Sequence, residues 1–298
     1  MKKIAFGFVA VAGLAASAMA QNTGARLTDG TAIFDYTAVT AGGVVSNLPT
    51  SSTTGGNVTM NFQIDGAPLA TNTRQIFSGN WYYRVSGDTR ERHFFNATSR
   101  TLTGTNQVDY GFGTLQGAAA ANIAGTSSSM MFRVTDTGVD SALLTTTAAI
   151  NNNTGADLVI DLFFAQDMDL AGTFPNDAYA PLNTSGGNRM WTVTDGTAIG
   201  KMLGVGANGA GVGGFSAVNG QMTDTSVDNF IPDLSPGGVA AADNAGVMQW
   251  RVTIANGGSF SASAFVAVGR NGVDPAVPAP GALALLGLGG LVATRRRR

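Results

Sequence analysis

His93 is the only histidine of the chain, set in Arg90-Glu91-Arg92-His93. A nucleophilic triad would need it as the base. The sequence has no cysteine and no Gly-x-Ser-x-Gly elbow to pair with it. The charges around it predict an exposed histidine at a strand end. The carboxylates are almost all aspartate: Glu91 is the single glutamate among 19 acidic residues. Glycoside hydrolysis needs only two carboxyl groups at the right separation, and Asp161, Asp167 and Asp169 are near enough in sequence to be considered. They are of one residue type, and nothing in the sequence sets an acid apart from a base. A polysaccharide hydrolase using paired aspartates is therefore the second reading of function, and no catalytic residue is assigned.

Three other stretches carry chemical potential. Asp167-Met168-Asp169-Leu170-Ala171-Gly172 puts acidic residues at positions 1 and 3 and glycine at 6 of a calcium-loop template. Positions 5 and 12 are Ala171 and Ala178, so Asp167 and Asp169 would need oxygen ligands from other loops, and no other cofactor is expected. Gly204-Val205-Gly206-Ala207-Asn208-Gly209 matches a dinucleotide fingerprint by letters, yet Ala210-Gly211-Val212-Gly213-Gly214 cannot open the helix that the motif requires. It reads as a loop. On a strand, Trp81 and Tyr83 share one face and Tyr82 takes the other. If one face is core, at least one ring is exposed, where it could stack on a sugar.

The elements that must position these groups are strands. Scarce Glu and Lys with abundant Thr, Gly, Asn, Val and Ala favours strands and turns. In Val58 to Ile64, Val58, Met60, Phe62 and Ile64 alternate with polar residues, the period of a half-buried strand. Further strands are predicted at Thr31 to Tyr36, Trp81 to Val85, Arg92 to Asn96, Val108 to Phe112, Met130 to Thr135, Ala142 to Ile150, Leu158 to Phe164, Arg189 to Thr194 and Gly200 to Val205. Val247 to Ala255 and Ser259 to Val268 flank Asn256-Gly257-Gly258 and read as a hairpin, with Met248, Trp250, Val252 and Ile254 facing the core. Leu203 to Phe215 and Asp233 to Asn244 read as loops, and Ala118 to Ala124 is the one stretch that tempts a helix. The body is expected to be an all-β antiparallel sandwich or jelly-roll-like domain, with two lobes divided near Asp136 to Ser141 as the alternative.

Both ends read as addresses. Residues 1–20 form a secretory signal peptide and its helix: Lys2 and Lys3, an apolar core, then Ala18-Met19-Ala20 before Gln21. Residues 275–298 hold Val277, Pro278, Ala279 and Pro280, a run from Gly281 to Ala293 without a polar side chain, and Arg295, Arg296, Arg297 and Arg298. A short hydrophobic helix capped by four arginines is a membrane tail held by the positive-inside rule. This order resembles the PEP-CTERM sorting domain of Gram-negative bacteria, with Ala279 in the place of the family's glutamate. The resemblance implies an exosortase-type membrane protease as partner, transient residence in the inner membrane, and delivery to the cell surface or beyond.

Between the addresses, residues 21–274 form one extracytoplasmic domain with eleven basic against nineteen acidic residues, a net −8. That excess argues against nucleic acid, which needs a basic footprint. The absence of cysteine leaves stability to a hydrophobic core. The leading functional expectation is a non-enzymatic surface or extracellular-matrix protein associated with envelope or exopolysaccharide.

Overall fold

In the computed structural model, the described residues are 24–37, 58–62, 74–76, 78–88, 91–95, 97–118, 121–168, 170, 177–183, 189–196, 198–206, 211–216, 239–242 and 245–269. Both addresses, Met1 to Ala20 and 275–298, lie outside them, and so do Asp169 and most of the stretch from Asp233 to Asn244. The first strands are β1 (Gly24–Asp29), β2 (Ala32–Thr37), β3 (Val58–Phe62), β4 (Arg74–Ile76), β5 (Ser78–Val85) and β6 (Arg92–His93). The middle of the chain forms β7 (Ala97–Thr103), β8 (Gln107–Phe112), β9 (Thr126–Gly138), β10 (Ser141–Asn152), β11 (Leu158–Asp167) and β12 (Asp177–Asn183). There follow β13 (Arg189–Asp195), β14 (Ala198–Gly206), β15 (Gly211–Ser216), β16 (Val239–Ala242), β17 (Ala245–Ile254) and β18 (Ser259–Gly269). The all-β, antiparallel expectation holds.

Three sheets result. The largest runs β16-β12-β13-β14-β18-β10-β9-β8-β7, a second runs β15-β17-β11-β5-β6, and a third runs β1-β2-β3-β4. One continuous core joins all three. Trp81 of β5 packs between Phe164 (5.0 Å) and Trp250 (5.3 Å). Its indole N–H donates to Thr146 Oγ1 of β10 at 2.8 Å, tying the five-stranded layer to the nine-stranded one. Burial of a large aromatic is worth roughly 1.5–3 kcal/mol, and the hydrogen bond removes the penalty of its one polar atom. The four-stranded sheet covers the β8–β9 end of the same layer, with Tyr36 against Phe132 (4.3 Å) and Tyr110 (5.3 Å).

Met248, Trp250, Val252 and Ile254 are buried in that core, as their alternation predicts. The expected hairpin is not there. β17 pairs with β11 and β15 in the five-stranded sheet, whereas β18 pairs with β10 and β14 in the nine-stranded sheet. Asn256-Gly257-Gly258 is thus an arch between layers. A hairpin would put both apolar faces on one surface; the arch turns them toward each other across the core.

A second arch, Asn153 to Asp157, lies beside it between β10 and β11, and Asn152 fastens the two together. Its side-chain N–H groups donate to Ala156 O (2.8 Å) and Ile254 O (2.7 Å). Its Oδ1 accepts from Thr154 N (3.1 Å) and Thr154 Oγ1 (2.8 Å). Its own backbone donates to Gly258 O (2.9 Å) and accepts from Gly257 N (2.6 Å). Gly257 takes φ +77°, which the tight turn requires and a side chain would resist.

Other expectations are corrected by backbone pairing. The glycine-rich run Leu203 to Phe215 contributes to strands β14 and β15; Gly211, Gly213 and Gly214 pair with Trp250, Met248 and Val247. The ladder to β17 supplies what local propensity cannot. Val239–Ala242, inside an expected loop, pairs with β12. Of Ala118 to Ala124, residues 119 and 120 lie outside the described residues; around them the chain folds back on itself, with Gly117 N donating to Ala121 O at 2.9 Å and Ile123 N to Leu115 O at 2.7 Å. Asp136 to Ser141 is the tip of the β9–β10 hairpin inside one sheet, so no division between lobes falls there.

Candidate functional site

The face of the five-stranded sheet turned away from the core is unusually polar. Strand alternation places Tyr82 and Arg84 of β5, Asp161 and Phe163 of β11, and Gln249 and Arg251 of β17 on it. Register lines them up across strands. Arg84, Asp161 and Arg251 stand opposite one another in one row. His93, Tyr82, Phe163 and Gln249 form the next.

The first row is a chain of charges centred on Asp161. Arg84 Nη2 donates to Asp161 Oδ2 at 3.0 Å and Arg84 Nη1 to Glu91 Oε1 at 2.8 Å, so one guanidinium bridges two carboxylates. Arg251 Nε and Gln249 Nε2 donate to Asp161 Oδ1 at 2.7 and 3.1 Å. Partial burial of Asp161 would raise its pKa, but the donors Arg251, Arg84 and Gln249 outweigh burial and hold the carboxyl below the ordinary value of 3.8. The Arg84 guanidinium also lies over the Phe163 ring, 5.5 Å from its centroid.

Exposure changes along the face. Val159 is 40% exposed and the Arg251 side chain 52%, and Ser86 and Thr253 are exposed too. Asp161 and Arg84 are at 9%, while Tyr82 and Phe163 are fully buried. Solvent therefore reaches the face at its Val159–Arg251 end, and the second row is closed to it.

That second row holds three polar atoms without a hydrogen-bond partner: Tyr82 Oη, His93 Nδ1 and Gln249 Oε1. His93 stacks on Tyr82 with centroids 4.9 Å apart. Burial lowers its pKa to about 4, so the ring is neutral near pH 7. The expected exposed histidine is thus corrected. It stands among charges in sequence, but β6 pairs with β5 and folds it under, and Glu91 beside it has no exposed surface.

The aromatic triplet needs the same correction. Trp81, Tyr82 and Tyr83 all have no exposed surface, so none offers an open ring for sugar stacking. Trp81 and Tyr83 are core as alternation requires, and Tyr83 Oη accepts from Gln116 N at 2.8 Å. Tyr82 takes the other face, but that face is buried at its position as well. Asp161 is drawn into a site; Asp167 is the last residue of β11, opposite Ser78 and Ala245, and is not brought to it. The calcium template thus begins inside a strand, and among the described residues no cluster of three or more His, Cys, Asp or Glu is arranged for a metal. Gly204 and Gly206, read as loop, pair with Ala264 and Ala262. The sorting residues Val277 to Pro280 and Arg295 to Arg298 and the cleavage residues Ala18, Ala20 and Gln21 lie outside the described residues. Among the described residues no helix is long and apolar enough to cross a membrane.

Arg84, Glu91, Gln249 and Arg251 escape a reading of the sequence alone. The available signal is a polar residue at alternate positions in three apolar strands, at Arg84, Asp161 and Gln249-x-Arg251.

No family model matches the chain, and no curated protein matches it. Among solved structures it is similar to a bacterial glucoamylase complexed with acarbose, at TM-score 0.49 and 11% identity, over 89% of this chain and 34% of that one. It is also similar to a protein named as a kojibiose phosphorylase from the human microbiome, at TM-score 0.36 and 8% identity, over 93% and 37%. The chain thus spans about a third of the length of each. At these identities the likeness transfers no residue role. Both neighbours are carbohydrate-processing enzymes by name, which corrects the expectation of a non-enzymatic surface or matrix protein. That expectation is not carried further.

Proposed function

We propose that the chain is an exported hydrolase of polysaccharide whose carboxylate pair is Asp161 and Glu91. The observation that carries this reading is the single Arg84 guanidinium donating to both carboxyl groups on one sheet face that opens to solvent at one end. Such a bridge sets an upper limit of roughly 8 Å on the distance between the bonded oxygens, below the upper bound of about 9.5 Å for glycoside hydrolysis. The paired-aspartate form of the reading becomes an aspartate–glutamate pair.

Hydrolysis adds one water across the glycosidic C–O bond. In this reading Asp161, held ionised by its donors, takes a proton from the attacking water, and Glu91, paired with Arg84 as a carboxylate, must first take up a proton to serve as the acid at the leaving oxygen. Proton transfer between the groups then restores both. The test is release of reducing ends from polysaccharides by the secreted protein and by Asp161→Asn and Glu91→Gln. Each variant should lose about 10²–10⁴-fold in rate. Full activity in both, or no release by the unaltered protein from any polymer of a neutral and anionic panel, sinks the proposal.

Delivery is part of the same proposal. It is supported by the leader ending at Ala18-Met19-Ala20 and by the tail order of Pro motif, apolar run and arginines. An exosortase-type protease would meet Val277 to Pro280 at the outer boundary of the inner membrane. Mass spectrometry of the protein from its native cell should find a chain beginning at Gln21 and ending near Pro278 to Pro280. Replacing Arg295 to Arg298 by serine should leave it uncut; normal processing of that variant refutes the stop function.

A further inference from the structure

Four asparagines are followed by glycine, Asn208, Asn219, Asn256 and Asn271, and of these Asn256 lies within the described residues. The pairing matters chemically. Glycine has no side chain to hinder its backbone nitrogen from reaching the amide carbon of the preceding asparagine. In that reaction Gly257 N bonds to Asn256 Cγ, the Cγ–Nδ2 bond breaks, and ammonia leaves with the proton of Gly257 N–H. Water then opens the cyclic imide at either carbonyl, leaving aspartate or isoaspartate. Asn256 is exposed, so water is at hand.

The closed arches oppose the first step. Gly257 N donates to Asn152 O at 2.6 Å, so the nitrogen that must attack is committed to the end of β10. Asn256 Oδ1 accepts from Gly155 N at 2.9 Å, which ties the amide to the neighbouring arch. Asn256 N donates to Asp157 Oδ1 at 3.2 Å on that same arch. Ring closure therefore requires the two arches to part. The product does not fit back. Isoaspartate adds a methylene to the main chain between Ala255 and Gly258, which are joined by Gly258 N donating to Ala255 O at 2.9 Å. Either product also sets a new carboxylate on the residue bonded to Asp157, and like charges repel. We infer that Asn256 is a deamidation site gated by the paired arches. Closed, they suppress the reaction; each opening exposes the molecule to a change that weakens their closure. The site takes no part in the proposed hydrolysis.

The experiment incubates the secreted protein in mildly alkaline buffer, folded and in guanidinium, and samples it over days. Trypsin then releases Val252 to Arg270, which holds Asn256 as its one asparagine, and mass spectrometry reads the exchange of amide for acid. Conversion should be about tenfold or more slower in the folded protein, since only the open fraction reacts. Asn152→Ala and the exposed Asp157→Ala each remove a tie between the arches and should raise the folded-state rate several-fold. Asp157→Ala serves alone if the other does not fold. Equal rates in folded and unfolded protein, or a folded-state rate that no folded variant raises, overturn the gating. The converted fraction, separated by its added charge, should unfold at lower urea than the unconverted one; equal midpoints overturn the claim that the product weakens closure.

Discussion

Two buried polar regions of this protein make opposite use of the same chemistry. At the paired arches, Asn152 uses both N–H donors and both acceptor positions of its amide, and nothing about it is left over. On the outward face of the five-stranded sheet, Asp161 is saturated but its neighbours Tyr82, His93 and Gln249 keep unpaired atoms. A closed network fixes a shape. An open one costs stability.

The comparison can be broken or sharpened by substitution. The largest effect is expected at Asp161→Ala, which strands Arg84 and Arg251 without their shared carboxylate. A loss of about 3–5 kcal/mol in urea unfolding is expected, the cost of breaking a buried ion pair from one side. Asn152→Ala takes a donor from Ile254 O and from Ala156 O, of which the latter keeps Thr154 Oγ1, and should cost about 2–4 kcal/mol. A loss below 1 kcal/mol there would remove the arches' claim to be fixed by this amide.

His93 gives the third, through pH. Its folded pKa, about 4, lies below the ordinary 6.5, so the unfolded chain binds the proton more readily. The stability that this provides is complete above pH 6.5 and is lost as pH falls towards 4, a change of order 3 kcal/mol. His93→Phe should flatten the stability profile across that window. Asp161, whose pKa is depressed, acts lower on the scale, with its contribution disappearing as pH falls below the ordinary carboxylate value. A variant that still loses stability between pH 6.5 and 4 would place the sensitive group elsewhere. The smallest effect separates the two regions most cleanly. Tyr82→Phe removes an unpaired hydroxyl and should raise stability by up to about 1 kcal/mol, whereas Asn152→Leu, of similar volume to the native residue, should lower it. A loss in Tyr82→Phe would show that the hydroxyl already serves the fold.

Local period carried the strands into view. The alternation of Met248, Trp250, Val252 and Ile254 told which side of β17 meets the core, because side-chain direction is a local property. It could not tell which sheet β17 joins, since Asn256-Gly257-Gly258 suits an arch as well as a hairpin. The site was hidden for the same reason. Asp161 stood out as one acid in an apolar strand, but Arg84 is 77 residues away and Arg251 is 90. Only register puts them opposite it. His93 misled because neighbouring charges signal exposure only while their partners are unknown, and here Glu91 is bonded to Arg84.

The sheet order also sets a schedule. β18, the last strand of the described chain, lies in the middle of the nine-stranded sheet, between β14 and β10, and β17 lies inside the five-stranded one. Until residue 269 has been made, β16-β12-β13-β14 and β10-β9-β8-β7 are two ribbons with a slot between them. The final strand closes the slot like a keystone. Nothing made earlier can complete the sandwich, so the growing chain stays open until β18 has been made. Joining strands so distant in sequence places refolding among the slow, non-local β proteins, on the order of milliseconds to seconds. Completion of the body coincides with the arrival of the segment that follows it.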